Sequence, residues 1–311
     1  MKGYSRFLAF LFFYFLCTSY ASAFTNDWLP FTPFYKPAAL SLDSQKEGFS
    51  VETTVGNHYS IKIETDDTFM HLDYEKYAFR LNYQRKLKGT ISVQTTLPIH
   101  IYSGGSLDSS ISEWHQYWEF HNSNRDRAQH NQFLYRLSSH SKNIISIDSP
   151  PKGIGDVSFK FFTAKGSPRR LWSPVAILSL PTGDHSKLLG LGKISGAVGL
   201  QTSQTWKWGG SYVQAFLMPN TLPKVYKDLD SQLSYQLDTG ARFSLVGGSI
   251  SQSFSLYRSP LKDTGIEELD NLAVLYYTGL HFKKDQLTLF FQEDLSAAGG
   301  PDFTIGIRSS I

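Results

Sequence analysis

The sequence has little cysteine, little charge and no long apolar run after its first two dozen residues. Its single cysteine is Cys17, so the chain beyond it must hold together by backbone pairing and packing rather than by disulfides. Charged residues make up 18% of the sequence, against about 25% in a typical soluble domain. No segment after Ala23 approaches the ~18 consecutive apolar residues of a membrane-spanning helix. The sequence therefore predicts neither a disulfide scaffold nor a helical membrane protein.

The first 23 residues have the three-part layout of a secretory signal peptide. Lys2 and Arg6 give a positive start, residues 7–16 are an almost unbroken apolar run, and Ala21-Ser22-Ala23 offers a small-residue cleavage site. We expect export and removal of residues 1–23 by cleavage after Ala23. A retained membrane anchor is the alternative, but the apolar run is short for a bilayer span.

What the chain has in abundance is aromatic residues, at 15% of the sequence. Its 30 Lys and Arg residues nearly balance 27 Asp and Glu residues, which argues against a nucleic-acid partner recognised by bulk charge. An exported chain that is rich in aromatics, poor in charge and without helical spans fits a barrel in contact with outer-membrane lipid. A soluble exported β-sandwich is the alternative.

Period-two alternation of apolar and polar residues predicts strands with two unlike faces. For example, Val157, Phe159 and Phe161 alternate with Ser158 and Lys160. Segments of about ten residues suit tilted membrane strands, so the predicted fold is all-β: a transmembrane antiparallel β-barrel of about 12 strands, within a range of roughly 10 to 14. It covers residues 49–311. Residues 24–48 form a periplasmic lead-in, because their prolines interrupt strand ladders.

The lengths of the predicted links agree with this arrangement. With both chain ends in the periplasm, short links such as 86–89 and 283–285 fall on one side, and longer ones such as 182–192 fall on the other. The short link at 65–68 is the exception. A further short turn is predicted at Asp238-Thr239-Gly240 from its Asp and Gly. Short periplasmic turns with longer outer loops are typical of bacterial barrels.

Residues 103–149 interrupt the alternation and form the longest predicted link. Asp108 is a suitable first residue for a helix that reaches about Phe120. We expect an extracellular loop whose helix packs over or into the barrel mouth, because an exposed apolar helix face is unfavourable in water. The residues of that face fall at helical spacing: Ile111, Trp114, His115 and Trp118.

Three segments carry a resemblance to a known family. They are Leu107-Asp108 through Glu113-Trp114-His115 with Arg125 downstream, Gly153-Ile154-Gly155-Asp156-Val157, and Leu180-Pro181-Thr182-Gly183-Asp184. In these segments, and in their order, the chain resembles the Gram-negative outer-membrane proteins grouped as domain of unknown function 3187. The resemblance implies a barrel in the outer membrane and supplies no catalytic residue. The last two segments are also similar to barrels regarded as exporters near aromatic-degradation genes.

The end of the chain bears on assembly. Barrel-assembly machinery, an expected partner during biogenesis, commonly reads a final strand of alternating apolar residues that ends in an aromatic. Phe303, Ile305 and Ile307 alternate as required, but the last residue is Ile311, which weakens the signal. The sequence does not predict an oligomeric state.

Four basic residues are candidates for the lumen. Arg80, Arg85, Lys160 and Arg242 are assigned to the polar side of their strands, where they would bias a pore towards anions. Pairing with lumenal acids is the alternative.

Two histidine patterns suggest chemistry and have simpler interpretations. His121-Asn122-Ser123-Asn124 is similar to the His-x-Ser-Asn segment of outer-membrane phospholipases, in which a base activates a serine nucleophile. The phospholipase motif lies on a strand, whereas this one lies in a predicted loop with Arg125 in place of Gly. The histidines His115, His121, His130 and His140 lack the spacing of a metal site, so no metal or cofactor is expected.

The sequence therefore predicts a non-catalytic outer-membrane barrel, acting as a narrow, loop-occluded channel or exporter for small molecules. An outer-membrane lipid hydrolase that uses His121 and Ser123 is the alternative.

Overall fold

A barrel of twelve antiparallel strands forms the centre of the computed structural model. The described residues are 47–65, 68–118, 131–140, 142–163, 165–167, 169–219, 223–270, 272–282, 286–295 and 303–310, so the predicted signal peptide and nearly all of the lead-in lie outside them. The barrel strands are β1 (Gly48–Thr65), β2 (Thr68–Lys86), β3 (Ile91–Ser103), β4 (Val157–Thr163), β5 (Arg170–Leu180), β6 (Ser195–Trp206), β7 (Gly209–Met218), β8 (Ser234–Leu245), β9 (Gly248–Arg258), β10 (Leu272–Phe282), β11 (Leu287–Asp294) and β12 (Phe303–Ser310).

The twelve strands close on themselves. Each pairs with its neighbours along the chain, and β1 also pairs with β12, from Ser50↔Ser310 to Asn57↔Phe303. Closure pairs the backbone groups of the first and last strands, which a hydrocarbon environment requires. The prediction of an all-β barrel of about 12 strands is confirmed.

The two faces of the barrel wall differ in polarity. In β2, Phe79, Leu81 and Tyr83 are exposed on the outside, whereas Arg80 and Asn82 are buried on the inside. An apolar outside and a polar inside are the arrangement of a barrel that crosses a membrane. Exposed apolar residues continue this outer face around the wall: Ile99, Leu178, Val213, Leu237, Phe254, Leu280, Leu289 and Ile305.

The barrel has two unlike mouths. Both ends of the described barrel, Gly48 and Ser310, lie at one mouth, which we name the terminal mouth; the short links 87–90, 207–208 and 246–247 lie there too. The longer links lie at the opposite, capped mouth. This division agrees with the predicted one.

One predicted turn is wrong. Asp238-Thr239-Gly240 is not a turn, because β8 continues through it to Leu245 and pairs with β7 and β9 along its length. The chain instead turns at Val246 and Gly247, where Gly247 has a φ of +83° that favours glycine. The reason is that a polar lumen accepts Asp238 on the inner side of a strand, so its polarity does not mark the end of the strand.

The first hairpin extends beyond the barrel at the capped mouth. β1 and β2 have 18 and 19 residues, about twice the length needed to cross a bilayer. The insert between β3 and β4 contains helix α1 (Asp108–Trp118) and a second hairpin. The strands of that hairpin are Leu134–Ser139 and Lys142–Ile147, and the first of them pairs with residues 69–73 of β2.

Small elements complete the other links. Helix α2 spans Glu267–Asp270, and 3-10 turns span His185–Lys187 and Lys224–Tyr226. None of the helices in the described part of the chain is long and apolar enough to cross a membrane. The short strands are Lys152–Ile154 beside β3, Lys165–Ser167 beside β5, and Asp230–Ser231 paired with Leu261–Lys262.

These links meet in one apolar cluster over the mouth, and together we call them the cap. It comprises the described residues of 58–75, 104–156, 181–194, 219–233 and 259–271. Its members come from segments that are far apart in sequence and that the closed barrel brings together. Its buried members are Met70, Leu72, Tyr74, Tyr102, Phe133, Tyr135, Leu137, Ile145, Leu188, Leu189, Tyr226, Leu261, Ile266 and Leu269.

Candidate functional site

An Arg–Glu–Arg ladder lies in the lumen where the first and last strands meet. In the strand register, Glu52 of β1 is opposite Arg308 of β12 and Arg80 of β2. Arg80 Nη1 lies 2.7 Å from Glu52 Oε1, and Arg308 Nε lies 2.9 Å from Glu52 Oε2. Arg308 Nη2 also donates to Oε2. Glu52 is 0% exposed, so both of its oxygens are engaged away from water, where charges interact more strongly.

Lys160 adds a third cation to this region. Its side chain points inward from β4, is 3% exposed, and places Nζ 5.5 Å from the centre of the Phe162 ring. Arg308 lies near enough for the two positive charges to repel each other. The cations Arg80, Arg308 and Lys160 therefore outnumber the carboxylate of Glu52 here.

A second lumenal carboxylate, Asp238 of β8, is surrounded by amides. Asp238 Oδ2 accepts hydrogen bonds from the Nε2 groups of Gln214 and Gln236, and Gln201 donates to Gln214. All four side chains are buried. Neutral donors therefore hold Asp238, whereas guanidinium groups hold Glu52.

Hydroxyl groups and a histidine line another part of the wall. The ring nitrogens of His281 contact Ser251 Oγ at 2.7 Å and Thr288 Oγ1 at 3.0 Å. Arg242 Nε donates to Ser249 Oγ at 2.7 Å. The lumen is thus lined largely by groups that hydrogen-bond to polar solutes or to water.

The middle of the lumen is narrow. The inward-facing polar residues are almost inaccessible to water, and an apolar cluster adjoins them on the wall from β4 to β7 and on β9 and β10. A barrel of twelve strands lies between barrels of about 8 strands, whose side chains fill the interior, and porins of about 16–18 strands, which hold an aqueous channel. The inward-facing polar residues with the least exposure are Glu52 0%, Arg80 1%, Ser173 0%, Gln214 1%, Ser251 0% and Thr304 0%.

Two of the motifs seen in the sequence form a clasp between cap links. Asp156 accepts hydrogen bonds from the backbone N–H groups of Gly183 (2.9 Å, to Oδ1) and Leu191 (2.7 Å, to Oδ2). Thr182 Oγ1 donates to the Gly155 carbonyl at 2.8 Å and accepts from the Val157 N–H at 2.9 Å. Burial raises the pKa of the Asp156 carboxyl, opposed mainly by the backbone bonds. The clasp joins the β3–β4 link to the β5–β6 link.

Hydrogen bonds connect the remaining links of the cap. Ser139 Oγ donates to the Thr264 carbonyl at 2.6 Å, and Tyr135 Oη lies 2.7 Å from Tyr226 Oη. The Lys224 N–H donates to the Leu191 carbonyl at 2.8 Å. Burial raises the pKa of both tyrosines, so their hydroxyls remain neutral donors and acceptors.

The predicted site residues fall in different places. Arg80, Lys160 and Arg242 point into the lumen. Arg85 does not: it is exposed at the end of β2 and shares the outer face with Tyr83. Arg80 and Arg85 are an odd number of residues apart, so one regular strand turns them to opposite sides.

The predicted loop-helix residues are only partly described. Asp108 is buried in the first turn of α1, where it accepts hydrogen bonds from Asn57 Nδ2 and the Asn131 N–H, both at 3.0 Å. Trp114, His115 and Trp118 lie on α1, but their side chains are outside the described set. His121, Ser123, Arg125 and His130 lie outside the described residues altogether, so the hydrolase alternative is not tested.

Sequence reasoning missed four lumenal charges: Glu52, Lys76, Arg308 and Asp238. The same parity rule that selected Arg80 would have found Arg308, since it stands between Ile307 and Ser309 on the inner side of β12. Glu52 likewise stands between Val51 and Thr53. Asp238 was missed because the sequence analysis placed it in a turn rather than on a strand.

Comparison with known protein families gives a match over most of the chain. A family model described as Protein of unknown function (DUF3187) matches residues 32–309. No curated protein matches the sequence.

Several solved structures have a similar fold. The COG4313 outer membrane channel from Pseudomonas putida F1 is 11% identical with a TM-score of 0.49, and the match covers 86% of this chain and 96% of that one. A Pseudomonas aeruginosa FadL homologue is 9% identical with a TM-score of 0.39, over 94% and 98% of the two chains. The channel DcaP of Acinetobacter baumannii is 9% identical with a TM-score of 0.33, over 85% and 96%.

Proposed function

The chain belongs to the family Protein of unknown function (DUF3187), and we propose that it is a narrow outer-membrane channel whose cap closes the extracellular mouth. The observation that carries the proposal is a charged, polar lumen inside a closed membrane-spanning barrel, covered at one mouth by converging links. The cap faces the cell exterior in this proposal, because the long loops of bacterial barrels are extracellular.

The lumenal charges favour a channel over an inert scaffold. Burying an ion pair costs desolvation energy that its attraction often does not repay, and apolar residues of similar volume are frequently as stabilising. The interior nevertheless keeps Glu52, Arg80, Lys160 and Asp238 buried. Charges retained at such a cost support a role in solute passage.

The cap has the construction of a removable closure. It is made of separate links that meet through apolar side chains and a small number of hydrogen bonds, among them Tyr135–Tyr226, Ser139–Thr264 and those of the Asp156 clasp. The barrel wall beneath it is closed by its own strand ladders. The cap can therefore loosen without unfolding the wall.

Single-channel conductance in planar bilayers tests the proposal. Deletion of residues 105–146 removes α1 and most of the second hairpin, and with them Tyr135 and Leu137 of the cap cluster. We expect larger and more frequent conductance steps than in the wild type. Retention of the faster gel migration of the unheated protein shows that the barrel is still folded.

A point variant separates opening of the cap from loss of the insert. Leu137 is 0% exposed and Tyr117 is 67% exposed. Leu137→Asp places a charge in the cap cluster and should raise the open probability, whereas Tyr117→Asp should behave as wild type. If the deletion and Leu137→Asp proteins are folded but silent, the channel proposal is wrong.

A further inference from the structure

We propose that the lumen selects small inorganic and carboxylate anions, with Arg80, Lys160 and Arg308 as the selecting charges and Glu52 as their built-in counter-ion. This inference rests on the channel proposed above and names its class of permeant. Its basis is the arrangement of charge along the inner wall.

The described inner wall is strongly basic. Five Lys and Arg side chains point inward from the barrel strands, against the two carboxylates Glu52 and Asp238. A low-dielectric wall with one predominant sign of charge focuses the field and concentrates ions of the opposite sign. The five cations are Lys76, Arg80, Lys160, Arg242 and Arg308.

Both oxygens of Glu52 are already engaged. Oε1 accepts from Arg80 and Oε2 from Arg308, so a passing cation would have to displace a guanidinium group to reach the carboxylate. An anion is attracted by the two guanidinium groups, because Glu52 supplies one negative charge against their two positive charges. Their planar N–H donors also suit oxyanions.

Lys160 strengthens the preference. Its side chain is buried on the inner face, with Nζ over the Phe162 ring. An anion that passed this ammonium group would be attracted by it, and a cation would be repelled. Asp238 keeps its negative charge, because the amides of Gln214 and Gln236 that hold it are neutral, but the inward-facing cations still outnumber Asp238 and Glu52.

The reversal potential in a potassium chloride gradient measures the preference. The measurement uses the 105–146 deletion protein, in which the cap no longer limits current. We expect chloride to permeate better than potassium. Lys160→Met, which keeps the length and loses the charge, should lower the chloride-to-potassium permeability ratio by about five-fold, as expected for the loss of one unit charge at close range in water.

Lys165→Met is the matched control. Like Lys160, Lys165 lies over an aromatic ring, with Nζ 5.3 Å from the centre of Trp172, but it is exposed. Its removal should leave the permeability ratio unchanged. Arg242→Gln provides a second lumenal variant if Lys160→Met does not fold, because Arg242 is only half-buried; it should also lower the ratio.

The outcomes separate the two proposals. A folded deletion protein that carries no current overturns the channel and the anion preference together. A conducting protein that prefers potassium, or whose ratio is unchanged by the lumenal variants, leaves the channel standing and overturns the anion preference.

Discussion

Asp156 shows how one residue explains two motifs at once. Its carboxylate holds the N–H groups of Gly183 and Leu191, so the Gly-Ile-Gly-Asp and Leu-Pro-Thr-Gly-Asp segments are two halves of one clasp. A methyl group on Gly190 would overlap the Asp156 carboxylate, and one on Gly183 would overlap the Leu189 carbonyl. Glycine is needed at both positions because the backbone of one link lies directly against the other.

Replacing Asp156 with alanine should loosen the cap locally. The change leaves two amide N–H groups without their acceptor, at a cost of ~1–3 kcal/mol for each buried donor. Hydrogen exchange at the Gly183 and Leu191 amides should therefore accelerate by about ten-fold or more, since ~1.4 kcal/mol corresponds to ten-fold. Asp184→Ala is the control, because the Asp184 carboxylate is exposed and interacts with Ser186 and Lys187 of its own turn. Equal exchange at Gly183 and Leu191 in the two variants would contradict the clasp.

Among the elements, the β8–β9 hairpin shows what determines the end of a strand in this barrel. β8 passes through Asp238 and Gly240 and turns only at Val246, which is fully exposed to solvent. The sequence signal for this turn is the Gly247-Gly248 pair rather than a polar residue. What ends β8 is the rim of the barrel, where its pairing with both neighbours stops.

Insertion of a short epitope tag should distinguish the true turn from the predicted one. An insertion after Val246 lies at an exposed link and should leave the barrel folded. The same insertion after Thr239 interrupts pairing with Tyr212 and Val213 of β7 and should abolish the heat-modifiable band. The gel assay checks both variants side by side. A folded Thr239 insertion would show that the register of β8 is wrong.

At the scale of the whole molecule, the wall and the cap are stabilised by different kinds of contact. The wall is held by antiparallel ladders between strands that are mostly consecutive along the chain. The cap is held by contacts that its links make with one another and with strand ends, such as Ser139 with Thr264 and Tyr102 of β3 with the Leu188 carbonyl at 3.2 Å. The cap contacts therefore depend on the closed wall, which sets where each link begins and ends.

Cell fractionation tests the location of the whole molecule. We expect the protein in the outer-membrane fraction, with a mature chain that begins at Phe24, because the exposed apolar wall requires lipid and the first 23 residues have the pattern of a signal peptide. Mass spectrometry of the purified protein checks the cleavage site. Recovery from the soluble periplasm would contradict the membrane location, and an intact N-terminus would contradict cleavage.

The sequence by itself determined the class of fold, the number of strands and the two unlike mouths. These properties follow from local patterns: side chains alternate with a period of two along any strand, and link length is read directly from the chain. Even Arg85 could have been assigned correctly from its parity relative to Arg80.

Only the tertiary structure decided which residues form the site. Glu52 and Arg308 are 256 positions apart and become neighbours because the last strand closes against the first. The cap cluster likewise gathers Met70, Leu188, Tyr226 and Ile266 from separate links. No local pattern encodes such pairs, since barrel closure fixes the register between the first and last strands and the direction in which each link folds over the mouth.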